Sequence, residues 1–142
     1  MLEHTTQIRV RYAETDQMGV VYHANYVVWM EVGRVEAMRS AGLNYSDMEK
    51  EGVRVAVLGV EVDYKAAARY DDLVDVTASV VEVQSRMMRI EYKIHRASDH
   101  VLLATGATRH LFINNELKAV RCPDKYLIHF KNEVNPLGID SL

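Results

Sequence analysis

The sequence predicts an α+β fold, an antiparallel sheet of about five to six strands wrapped around one long central helix. Three observations carry that expectation. Between Asn25 and Ala41 the side chains Tyr26, Trp29, Met30, Ala37 and Met38 fall at helical spacing, with Glu31, Arg34 and Arg39 away from that stripe. From Val53 to about Val120 the apolar residues alternate instead, as they do in half-buried strands. No proline interrupts the chain between Met1 and Cys122. One long helix among so many strands has to cover the apolar face of the sheet.

Taken in order, Ile8, Val10 and Tyr12 alternate with Arg9 and Arg11, which predicts a first strand. A loop from Glu14 to Val21 carries Asp16 and Gly19. The long helix follows, with Asn25 as its expected N-cap and Gly42 where a C-terminal glycine belongs. Gly33 in mid-helix disfavours helix by about 1 kcal/mol against Ala, so its presence predicts a close neighbour. Ser46-Asp-Met-Glu49 reads as the capping box of a short second helix. The strands expected next are Val53–Tyr64, Leu73–Val83, Met87–His95 and Val101–Ile113, then a hairpin turn at Asn114–Asn115 and a short last strand, Leu117–Val120. Pro123 opens a C-terminal helix over Asp124–Phe130.

The 142 residues suit one domain, 1–142, with 49% hydrophobic and 26% charged residues. A net charge of −3 supplies no basic field for nucleic acid. A single cysteine, Cys122, excludes an intrachain disulfide and fits a reducing compartment. No apolar run reaches the roughly 18 residues of a membrane helix, and the N-terminus lacks the pattern of a secretory signal. A cytoplasmic location is the resulting expectation.

The chemistry concentrates in Tyr12-Ala-Glu-Thr-Asp16-Gln-Met-Gly19-Val-Val-Tyr22-His23-Ala-Asn25-Tyr26. It places a carboxylate in the loop that leads into a helix N-terminus, whose unpaired N–H groups and partial positive charge suit a developing oxyanion. Acyl transfer to water needs that pair, although an Asp in such a loop also serves simply as a turn residue.

The same segment, with Trp29 and Glu31 after it, resembles the signature of the 4-hydroxybenzoyl-CoA thioesterase branch of the hot-dog superfamily. It is most similar to the bacterial short-chain acyl-CoA thioesterases associated with the Tol–Pal system. Val62-Asp-Tyr64-Lys65-Ala66 and Arg69-Tyr-Asp-Asp72 resemble that family further along, and the likeness runs from about Ile8 to Lys125. The resemblance implies a hot-dog fold and hydrolysis of acyl-CoA to a carboxylic acid and coenzyme A. Asp16 would be the catalytic carboxylate, as nucleophile or general base, and the backbone N–H of His23 the oxyanion donor. The benzoyl-specific members carry Tyr where His23 stands, so the carry-over rests on the backbone there. It also implies a homodimer or homotetramer, and leaves acyl carrier protein open as a partner.

Other assignments divide between function and structure. The His23 ring could supply an acid near neutral pH, and Tyr22 could line the acyl pocket. Gly19 would let the loop approach substrate closely. Lys65, Arg69, Arg86 and Arg89 are candidates for the coenzyme A phosphates, against the plainer reading of a wet strand face. Glu31, Glu36, Glu61 and Asp63 read mainly as surface charges. His4, His23, His95, His100, His110 and His129 form no metal-ligand spacing, so neither metal nor cofactor is expected. No Gly-x-Ser-x-Gly elbow is present. The rival readings are a hot-dog dehydratase, whose His-Phe-Pro motif is missing, and an acyl-CoA or acyl-carrier-protein binding module without catalysis.

Overall fold

The computed structural model describes residues 1–131. The chain runs β1 (Glu3–Arg9), a single 3-10 turn (Tyr12–Glu14), α1 (Asn25–Ser40), α2 (Tyr45–Lys50), β2 (Arg54–Tyr64), β3 (Leu73–Val83), β4 (Met87–Arg96), β5 (Leu102–Ile113) and α3 (Asp124–Phe130). The strands form one antiparallel five-stranded sheet in the order β1-β3-β4-β5-β2.

Alternation sets the faces. Val74, Val76, Ala78 and Val80 of β3, with Met88, Ile90, Tyr92 and Ile94 of β4, all point inward and are buried. Tyr26, Trp29, Met30, Ala37 and Met38 of α1 cover them. Each aliphatic side chain so buried favours folding by about 1.5–3 kcal/mol. Gly33 explains how closely the layers approach: a Cβ there would lie 2.8 Å from Val76 Cγ1. At the helix end Gly42 has φ +80°, Leu43 N–H bonds to Met38 O at 3.0 Å and Gly42 N–H to Arg39 O at 3.0 Å, a Schellman closure. On α3, the Phe130 ring meets Phe112 of β5 at 5.8 Å between centroids.

Several local expectations are corrected. The first strand stops at Arg9, because Arg11–Glu14 turns to aim Glu14 inward. Asn25 is not the N-cap: Ala24 occupies that position with no side-chain bond, and the Asn25 amide reaches back to Glu14. The second helix begins at Tyr45 and is capped by Asn44, whose Oδ1 accepts from Ser46 N–H, so Ser46 is no cap. Residues 117–120 form one bridge, Ala119 to Ile113, rather than a strand. The reversal is longer than a two-residue turn, with Asn114 accepting from Glu116 and Lys118 N–H and Leu117 at φ 63°.

Register defines two ends of the sheet. Leu73, Arg96, Leu102 and Tyr64 lie at the end shared with the Glu14–Val21 loop, and Val83, Met87, Ile113 and Arg54 at the other.

Candidate active site

The site is built from the loop upward. Thr15 and Val21 form an isolated bridge, and the chain reverses between them. Asp16 N–H bonds to Val20 O at 2.9 Å, and Gly19 N–H to Asp16 O at 3.0 Å. Gly19 ends the reversal at φ +77°, a conformation that disfavours residues with a Cβ. Asp16 Oδ1 accepts from Met18 N–H at 2.8 Å, which orients the carboxylate. Its Oδ2 has no hydrogen-bond partner among the described residues.

Opposite the loop is the entry to α1. Tyr64, the last residue of β2, donates its hydroxyl to His23 O at 2.9 Å, so the sheet holds the helix start in place. Tyr26 Oη accepts from Ala68 N–H at 3.1 Å, tying the 65–68 segment to the same turn. Burial raises the Tyr26 hydroxyl above its ordinary pKa, although the Ala68 N–H opposes that effect. Among the described residues, neither His23 N–H nor Ala24 N–H has an acceptor within the chain. These are the free donors expected of a helix N-terminus.

Asp16, His23 and Lys65 border one cavity of about 340 Å³, together with Met18, Val20 and Tyr64. Asp16, the exposed His23 with its free N–H, and apolar side chains thus line the same space. That combination can bind an acyl carbonyl, deliver water to it and hold the charge that develops on its oxygen.

The other sequence candidates lie elsewhere. Tyr22 is exposed, with its ring 4.4 Å from that of His23. Arg69 is exposed on the neighbouring loop, where its backbone N–H bonds to Asp72 Oδ2 at 2.9 Å. Arg86 and Arg89 lie toward the opposite end of the sheet, and Arg89 Nη2 pairs with Glu91 at 3.5 Å. A single protomer does not bring either arginine to the cavity. Arg96 instead holds the cavity's loop, donating to Ala67 O at 2.8 Å and pairing with Asp72 and Asp99. Glu36 pairs with Arg39 on the helix surface. Among the described residues no three His, Cys, Asp or Glu side chains are grouped to hold a metal ion. No described helix is long and apolar enough to cross a membrane.

The residue that sequence reasoning missed is Glu14. It is 5% exposed, and its carboxylate accepts from Arg11 N–H at 2.9 Å and from Trp29 Nε1–H at 2.8 Å. Its carbonyl accepts from Tyr22 N–H and from Asn25 Nδ2, both at 2.8 Å. A Glu two residues before the Asp carried no signal of burial, since its indole partner lies 15 residues away.

Residues 10–130 match the model of the thioesterase-like superfamily. The putative acyl-CoA thioesterase YneP of Bacillus subtilis is 38% identical over 110 residues, 78% of this chain and 79% of that protein. Among solved structures, the DHNA-CoA thioesterase of Staphylococcus aureus superposes with a TM-score of 0.84 at 34% identity, over 93% of this chain and 88% of that one. A 4-hydroxybenzoyl CoA thioesterase complexed with 4-hydroxybenzoyl CoA shares the fold at 17% identity and a TM-score of 0.83, over 91% of this chain and 99% of that one. With the sheet-on-helix architecture and the loop beside the helix entry, these likenesses place the chain in the thioesterase-like superfamily, with the hot-dog fold.

Proposed function

We propose that this protein hydrolyses acyl-CoA thioesters, releasing a carboxylic acid and coenzyme A. The observation that carries the reading is that Asp16 and His23, whose backbone N–H has no acceptor among the described residues, line one cavity. The thioester carbonyl oxygen lies toward the helix entry, where His23 N–H and the helix dipole stabilise the tetrahedral oxyanion. Asp16 acts through its free Oδ2. As general base it takes a proton from water while the water oxygen bonds to the carbonyl carbon. As nucleophile it bonds to that carbon itself, and water then cleaves the resulting anhydride. Either way the C–S bond breaks, the thiolate leaves with the electron pair and takes up a proton. Single-turnover hydrolysis in ¹⁸O water identifies the nucleophilic route when water opens the anhydride at the Asp16 carbon, because label then enters Asp16 and not the product acid.

Lys65, an exposed cation at the cavity rim, is assigned to the phosphates of coenzyme A. Arg69 is its neighbour for the same role, while Arg86 and Arg89 reach a cavity only if a second protomer contributes them. Two features support a dimer: β2 is an edge strand with exposed Val57, Leu58 and Val60, and α1 exposes Val27, Val28, Val32 and Val35. An unpaired edge beside an apolar face is a template for a second copy. The single cysteine supports a reducing, cytoplasmic setting, and no step of the proposed reaction uses a metal or cofactor. Acyl carrier protein thioesters are the alternative substrates.

Thiol release from short acyl-CoAs tests the reading. Steady turnover by the wild-type protein supports it. Tight coenzyme A thioester binding without thiol release would make the protein a binding module instead. Light scattering that finds a stable monomer at micromolar concentration overturns the dimer.

A further inference from the structure

We infer that Glu14 is a positioning residue, which holds the Asp16 loop and the α1 entry at one fixed separation. The inference rests on the hydrolytic reading of Asp16 and His23. Glu14 accepts four hydrogen bonds from three parts of the chain. Its Oε1 accepts from Arg11 N–H, at the exit of β1, and its Oε2 from the Trp29 indole, one turn into α1. Its carbonyl accepts from Tyr22 N–H and Asn25 Nδ2, immediately before and at the first residue of α1. The segment 14–25 therefore leaves Glu14, carries Asp16 and His23, and returns to Glu14. Asp16 is two residues from the anchor on one side, and His23 lies between Tyr22 and Asn25 on the other.

The chemistry of the anchor is specific. Both carboxylate oxygens face N–H donors, and Arg11 Nε adds an exposed charge 3.5 Å from Oε1. A carboxylate offers acceptors on both sides, whereas a glutamine offers only one. In Glu14→Gln the amide NH2 must therefore oppose either Arg11 N–H or the Trp29 indole N–H. Volume and reach are unchanged, so the change acts on orientation. Trp29→Phe removes the indole donor. In the double variant the glutamine turns its oxygen to Arg11 N–H and its NH2 to the phenyl ring, and the opposition disappears.

The experiment measures kcat, KM, thermal stability and amide hydrogen exchange for the wild type, Glu14→Gln, Trp29→Phe and the double variant. Displacement of a reacting group by about 1 Å lowers turnover by up to about 100-fold. Glu14→Gln is expected to lower kcat by about 10- to 100-fold with KM within a factor of two. It should also speed exchange of the Met18, Gly19 and Tyr22 amides relative to those of β4 and β5. The double variant should recover at least about threefold in kcat over Glu14→Gln alone and regain the loop protection. A Glu14→Gln protein with wild-type kcat and a protected loop overturns the inference. So does exchange that rises equally in loop and sheet, or a double variant that is worse than either single one. If the wild type hydrolyses no thioester, the hydrolytic reading fails, and the exchange pattern alone decides whether Glu14 holds the loop.

Discussion

Two polar clusters lie buried against α1, Glu14 beneath its first turns and His110 beneath its middle. At Glu14 the polar group is a carboxylate whose oxygens meet N–H donors from backbone and indole. At His110 a chain of neutral groups extends from a single exposed-side charge. Arg34 Nη1 donates to Tyr92 Oη at 3.4 Å, Tyr92 and Thr108 hydroxyls lie 2.8 Å apart, and Thr108 Oγ1 is 2.7 Å from His110 Nε2. A guanidinium only donates, and the proton order that satisfies every hydroxyl runs from Arg34 to His110 Nε2. That order leaves the His110 proton on Nδ1, which has no hydrogen-bond partner of normal geometry, although the Ala56 backbone favours the protonated ring. Burial, reinforced by the Arg34 charge, pushes His110 down to about 4. One cluster supports a charge beside the site, and the other suppresses a charge within the core. On the proposed reading, the difference separates a region that positions chemistry from one that specifies packing.

That separation breaks most visibly at Asp16. Asp16→Asn keeps the Met18 N–H contact through its amide oxygen but loses the free anionic oxygen. Turnover is expected to fall by at least about 10²-fold with KM nearly unchanged and the unfolding midpoint preserved. His23→Ala should be milder, because the backbone N–H survives. Near wild-type turnover by Asp16→Asn, with His23→Ala inactive, would reverse the two roles.

His110 should behave the opposite way, affecting stability and sparing turnover. Its pKa is lower in the folded protein than the ordinary 6.5, so the unfolded chain binds more protons between pH 6.5 and about 4. Its contribution is therefore fully present above pH 6.5 and is lost as pH falls toward 4, by on the order of 3 kcal/mol. Urea unfolding at pH 7, 6, 5 and 4 should show that decline, and His110→Phe should flatten it. Equal slopes in both proteins would contradict the core role.

Gly33→Ala tests the packing side with a smaller effect. Contact with the stiff, fully buried Val76 destabilises by about 2 kcal/mol, and improved helix propensity offsets about 1, for a net loss of about 1 kcal/mol. A rise in the melting temperature would mean the layers separate freely. The smallest expected effect is at Cys122. Burial, with Asp124 nearby, pushes its thiol up to about 12, so iodoacetamide should leave activity intact. EDTA should do the same, because the proposed reaction gives no role to a metal. Loss of activity with EDTA that zinc restores would require a metal in the reaction.

Elements governed by periodicity or by their nearest neighbours were determined by the sequence itself. The α1 stripe, the alternating strands, the Gly42 closure and the close layer at Gly33 all follow from side-chain spacing and backbone sterics that act within a few residues. The loop that carries Asp16 and Gly19, and its place before the helix, were legible for the same reason. Tertiary structure decided the roles that depend on a distant partner. Asn25 has the side chain of a cap but bonds to Glu14, 11 residues away. Residues 117–120 have strand composition but only one bridge, because the Asn114 reversal uses their length. Arg86 and Arg89 look equivalent to Lys65 in sequence, yet register puts them toward the other end of the sheet. Glu14 looks like a surface loop residue until Trp29 is folded over it. A buried hydrogen bond requires a donor brought through space, and only the packing of α1 on the sheet and loop supplies one.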